Sequence, residues 1–139
     1  MHPSAKLSPF LNSIIFNVYL VRGGMKRLKS HMIGVDQGSV NLFSDFEDNG
    51  KMWSGNGPRE HRRKIKFVEQ FKSTPTIHVS LDMWDMDKQT NQRADTSTEN
   101  ATARGFDIVF KTWGDTKIAR ARASWLAIGE VINDDQWDV

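Results

Sequence analysis

From Ile33 onward, apolar side chains recur at every second position, a period that turns one face of an extended strand to a core and leaves the other to water. Ile77, Val79, Leu81 and Met83 point one way, while His78, Ser80, Asp82 and Trp84 point the other. Phe106, Ile108 and Phe110 alternate with Asp107, Val109 and Lys111, and Ala119, Ala121, Ala123 and Trp125 alternate with Arg120, Arg122, Ser124 and Leu126. Helical spacing is sustained nowhere. Turn chemistry separates the runs at Gly50, Ser54 to Pro58 (SGNGP), Ser73-Thr74-Pro75, Lys88 to Asn91, Ala103-Arg104-Gly105 and Gly114-Asp115. Six strands are predicted, at residues 37–45, 61–70, 76–84, 93–102, 106–113 and 117–129. Short strands at such spacing form an all-β antiparallel sandwich or barrel.

One core suffices for 139 residues. With 38% apolar residues, five Trp and eight Phe, the chain has the means to fold. Nineteen basic against seventeen acidic side chains leave a net charge of +2, too weak a field to imply a nucleic acid or an anionic membrane as partner. The absence of cysteine removes disulfides, thiolate chemistry and Cys-ligated zinc. Leu11 to Val21 is the one hydrophobic run, interrupted by Asn12, Ser13 and Asn17; a spanning helix needs about 20 apolar residues. It has neither the basic start nor the cleavage pattern of a secretory signal. Residues 1–32 are read as an N-terminal extension, of which 1–24 are expected to be dispensable, 33–131 as the domain, and 132–139 as an acidic tail containing Trp137.

A hairpin at Ala103 to Gly105 sets residues equidistant from it opposite each other. Arg93 and Trp113 are such a pair, since each lies ten residues from Ala103. Both fall at the end of the sheet away from that turn, where the Lys88 to Asn91 loop and the Gly114-Asp115 turn also emerge. A guanidinium fork for hydroxyls and an indole plate for the C–H face of a sugar are what a carbohydrate site requires. The bland alternatives are an edge tryptophan and a solvated ion pair of Arg93 with Asp95 or Glu99.

Other constellations carry less. Glu60 to Lys66 (EHRRKIK), with Arg59, could meet phosphates or an acidic polysaccharide, but such a run is more often the solvated face of a strand. Asp82, Asp85 and Asp87 lack the Gly and closing Glu of a calcium loop. His2, His31, His61 and His78 have no metal-ligand spacing. Asp85 and Asp115 are the pair a glycosidase would need, yet nothing marks either as buried, and no nucleophile elbow or phosphate loop is present. No enzyme activity, metal or cofactor is expected.

Phe67, Pro75, the run TIHVSLDMWD (Thr76 to Asp85), Asn91-Gln92-Arg93, Gly105-Phe106, Thr112-Trp113 and Ser124 to Ile128 (SWLAI) together form a pattern that resembles the H-type lectins over about residues 38–129. The resemblance implies a six-stranded antiparallel β-sandwich, a parallel homotrimer, and sites for galactose or N-acetylgalactosamine at subunit interfaces. It implies a sugar-binding role for Arg93 and Trp113, and for Asn56 where the family carries an aspartate. Gly114 stands where snail members have a histidine and Ala119 where they have an aromatic; Asp115 is the residue placed to compensate. Expected functions are a non-catalytic lectin in adhesion or surface attachment, outside the cytoplasm, or alternatively a trimerisation and attachment module of a larger particle with no free sugar site.

Overall fold

The computed structural model describes residues 24–29 and 31–132. The expected dispensable segment before Met25 and the acidic tail with Trp137 lie outside them, save for residue 24 and Ile132. Six strands are present: β1 (Ile33–Ser44), β2 (Arg59–Lys66), β3 (Thr76–Met86), β4 (Asp95–Glu99), β5 (Gly105–Thr112) and β6 (Ile118–Glu130), with a one-turn helix α1 (Lys51–Ser54) between β1 and β2. They form two three-stranded antiparallel sheets, β1-β6-β3 and β2-β5-β4. The apolar faces meet in one core, with Phe67, Phe71 and Phe106 around Trp125 at one end and Leu42, Phe43, Met52, Phe110 and Ile118 elsewhere in it. Each fully buried side chain of this size contributes about 1.5–3 kcal/mol.

The departures from the expected strands have local causes. β1 starts at Ile33, four residues before the predicted 37, because its inward positions there are Gly34, Asp36 and Gly38 and carry no hydrophobic signal. A Cβ on Gly38 would stand 3.0 Å from the Trp125 ring, and one on Gly34 only 2.5 Å from Val131 Cγ1. Neighbours fill the space the glycines leave. β2 ends at Lys66 and not at 70, since the Phe67 N–H turns to the Arg104 carbonyl at 2.9 Å and leaves the ladder.

One alternation breaks, in β5, and another, in β3, holds through Trp84 despite a bulge. Val109, expected on the solvated side of β5, is fully buried, and Asp107 nearly so. β5 is the central strand of its sheet, and Arg62, opposite Val109, is held by Glu60 of its own strand at 2.6 Å and, across β5, by Glu99 at 2.8 Å. A lattice of charged side chains thus roofs the outer face. In β3, a bulge between Leu81 and Met83 slips the register by one, setting Met83 opposite Arg122 and Trp84 opposite Ala121. Trp84 remains 56% exposed.

Candidate carbohydrate-binding rim

The β4–β5 ladder runs Asp95↔Lys111 through Glu99↔Asp107, the register that the hairpin turn predicts. Two residues beyond its open end stand Arg93 and Trp113. The ladder stops there because threonine hydroxyls take over the backbone groups of Arg93. Its carbonyl accepts from Thr112 Oγ1 at 2.6 Å, and its N–H donates to Thr116 Oγ1 at 3.1 Å. Thr116 Oγ1 in turn donates to the Asn91 carbonyl at 2.7 Å. Both threonines are buried, so the loop carrying Arg93 is tied to the β5–β6 connection from within. β4 therefore begins at Asp95, two residues after its predicted start.

The same connection orders the remaining rim residues. Gly114 has φ +69°, and a Cβ there would stand 3.5 Å from Arg93 Nε in a backbone conformation that side chains rarely adopt. Glycine lets Arg93 lie along the turn. Asp115 accepts a 3.0 Å hydrogen bond from Asn91 Nδ2; this bond, supported by the charge of Arg93, holds its carboxyl below the usual carboxylate range. Asn56 is exposed at the tip of SGNGP. The Gly57 N–H donates to the Gly114 carbonyl at 2.9 Å, which ties that loop to the rim.

Arg59 holds the junction. Its guanidinium donates to four main-chain carbonyls: Gly57 at 2.8 Å, Lys51 and Met52 at 3.2 Å each, and Gly114 at 3.1 Å. Only 8% of the residue is exposed. Arg59 therefore neither meets phosphates nor lies on a solvated strand face, because its donors are consumed inside the protein. Arg62 is likewise engaged by Glu60 and Glu99, which strengthen its hold on its proton. Arg59, Thr112 and Thr116 escaped sequence reasoning. The available signal was a polar residue at each inward or capping position beside a glycine turn.

Trp113 is 41% exposed and walls a groove of about 370 Å³ with Pro58, Glu60, Asp95 and Lys111. Among the described residues, nothing hydrogen-bonds the Arg93 guanidinium, and neither Asp95 nor Glu99 pairs with it. All five predicted rim residues, Asn56, Arg93, Trp113, Gly114 and Asp115, lie on the three connections that meet at Gly114. Asp82 and Asp85 go elsewhere, to Arg122 at 2.9 Å and Arg120 at 3.4 Å, so the three aspartates of the β3 end do not converge. His78 is exposed on β3 opposite Leu126, and His61 is half-buried beside Phe43, with ring centroids 5.6 Å apart.

Comparison with known proteins gives this arrangement a lineage. The chain matches the H-type lectin domain over residues 62–128. It is 60% identical over 107 residues to a protein of Fuscovulum blasticum named ATP synthase subunits region ORF 7, covering 77% of this chain and 93% of that one. It is 36% identical over 81 residues to a discoidin-1 polypeptide of Dictyostelium discoideum, covering 58% of this chain but 32% of that protein. The solved structure of Dictyostelium discoidin II superposes with a TM-score of 0.63 at 26% identity, over 79% of this chain and 41% of that one. The chain thus spans about a third of the discoidin sequence and nearly all of the Fuscovulum protein. It belongs to the H-type lectin domain family, a carbohydrate-binding class.

Proposed function

We propose that this chain is a non-catalytic lectin module whose sugar site is the rim of Asn56, Arg93, Trp113, Gly114 and Asp115. The observation that carries the reading is an Arg93 guanidinium with no hydrogen-bond partner among the described residues, in line by strand register with a half-exposed Trp113, on loops otherwise bonded closed. Arg93 supplies a fork for two hydroxyls, Trp113 a plate for the apolar face of a galactose-like ring, and Asn56 and Asp115 the acceptors. With an amide at Asn56 and no side chain at Gly114, the site offers fewer charge-assisted contacts than the family pattern. Galactose or N-acetylgalactosamine is the favoured ligand class, an acidic polysaccharide the next.

The module works as a parallel trimer in this reading. The outer face of β1-β6-β3 carries Val35 opposite Ile128 and Gln37 opposite Leu126, and Val35 is 61% exposed. Apolar side chains in such a row favour a partner surface. Sedimentation should give three times the 15.9 kDa chain mass; a monomer at micromolar concentration would reject the trimer. Several weak sites on one particle then add through avidity, which suits attachment to a glycan-coated surface.

The alternative of a purely structural trimerisation module requires the rim to be plugged in the assembly. Glycan arrays probed with the intact protein separate the two. Binding of galactose-type glycans supports the lectin, and silence across neutral and acidic glycans favours the structural module.

A further inference from the structure

The β5–β6 connection has a second side. Beyond Asp115 the chain passes Lys117 and Ala119 into a cleft of about 290 Å³ walled by Phe46, Glu47, Trp53, Asp85, Asp87 and Arg120. Ala119 stands where snail members of the family carry an aromatic, and the other lining residues are not among the five of the rim. The wall is aromatic: Phe46 stands edge-on to Trp53, with centroids 4.9 Å apart and planes at 77°, and is 56% exposed. The Trp53 ring already receives one ammonium, that of Lys117, 5.0 Å from its centroid, so it faces a cation in the geometry that aromatic rings favour.

The polar groups of the cleft leave a negative charge unanswered. Its lining has three carboxylates and one guanidinium, and with the Lys117 ammonium on the Trp53 ring the local formal charge is −1, in a chain whose net charge is +2. Arg120 pairs with Asp85 at 3.4 Å. Asp87 Oδ1 accepts the Gln89 N–H at 3.0 Å. Glu47 has no partner among the described residues. An anionic ligand would be repelled here, a bare metal ion would leave the aromatic wall unused, and a neutral ring would leave Glu47 unmatched. A ring with an apolar C–H face and an ammonium substituent answers both features.

We propose that this cleft is a second ligand site, separate from the rim, for a saccharide carrying a free protonated amine. The choice of a saccharide over another amine rests on the lectin reading; the residues are independent of it. Phe46 and Trp53 pack the ring, Glu47 takes the ammonium, and the Asp85–Arg120 pair faces the hydroxyls.

The test titrates the full-length protein with glucosamine and, in parallel, with N-acetylglucosamine, which keeps the ring and removes the charge. The indole N–H resonances of Trp53 and Trp113 report on the two sites separately. Glucosamine should move Trp53, and N-acetylglucosamine should do so at least about tenfold more weakly, a difference of about 1.4 kcal/mol. Glu47→Gln and Phe46→Ala should each weaken the Trp53 response about tenfold with folding unchanged, and Arg93→Ala should leave it intact. A silent Trp53, equal binding of the two sugars, or a full response in Glu47→Gln overturns the site or its charge preference. A simple alkylamine that moves Trp53 as strongly as glucosamine overturns the saccharide. A failure of the rim reading would instead appear at Trp113 and leave the Trp53 signal in place.

Discussion

Replacing Arg59 by alanine should cost more stability than any other single change at the rim. The guanidinium uses three nitrogens, Nε, Nη1 and Nη2, to hold four carbonyls drawn from α1, from the loop after it and from the β5–β6 turn. Hydrogen bonds from a charged donor contribute about 1.5–3 kcal/mol each. The two bonds from Nη1 share one group and are counted as one, so three units at the low end give roughly 4–5 kcal/mol. Domains of this size are stable by about 5–15 kcal/mol, so the variant should be close to its unfolding threshold. Arg59→Lys offers one point donor in place of a fork and should recover only a fraction. Urea unfolding followed by tryptophan fluorescence measures the difference. A loss under about 1 kcal/mol for Arg59→Ala, the worth of a solvated surface contact, would refute the claim that this side chain fastens the SGNGP loop to Gly114.

Other substitutions test the packing and the electrostatics. Gly38→Val should destabilise by about 1–3 kcal/mol through overpacking, because its Cβ would meet three atoms of the Trp125 ring at 3.0 Å; chemical denaturation checks it. Burial, aided by the charges of Lys51 and Arg63, lowers the pKa of His61 below its ordinary 6.5. The unfolded chain then binds this proton more readily than the native one, so stability should fall as pH drops below 6.5. His61→Gln should flatten that part of the stability profile, and an unaltered slope would contradict the assignment. Removal of the residues before Met25 should leave the melting temperature unchanged, as scanning calorimetry can show; a marked fall would make the segment part of the fold.

The sheet system was legible because most inward positions carry apolar side chains, and the hairpin at Ala103 to Gly105 made the β4–β5 register legible, and with it the rows that Arg93 and Trp113 continue. What was not legible depended on partners distant in sequence. Gly34 and Gly38 hide the start of β1, since the groups that fill their space, Val131 and Trp125, come from the other end of the chain. Val109 is buried by the stem of Arg62 and its ion pairs, which only the β2–β5 register brings together. The inward engagement of the basic run was hidden for the same reason. Arg59 and Arg62 each find one acceptor far from them in sequence, the Gly114 carbonyl of the β5–β6 turn and Glu99 of β4. The second cleft was invisible because Phe46, Trp53 and Asp85 sit in three separate segments, joined only where β1, α1 and β3 end.

The most direct test of the rim is the affinity of the intact protein for its best glycan on an array, measured for the wild type and for Arg93→Ala, with particle size checked in both. Two hydrogen bonds from a charged donor are lost at about 1.5–3 kcal/mol each, so binding at a single site should weaken by roughly 10² or more, and avidity should enlarge the loss on a dense surface. The expected result is a variant of unchanged size that no longer binds. Unchanged binding by an intact Arg93→Ala particle would contradict the assignment and move the sugar site away from the rim.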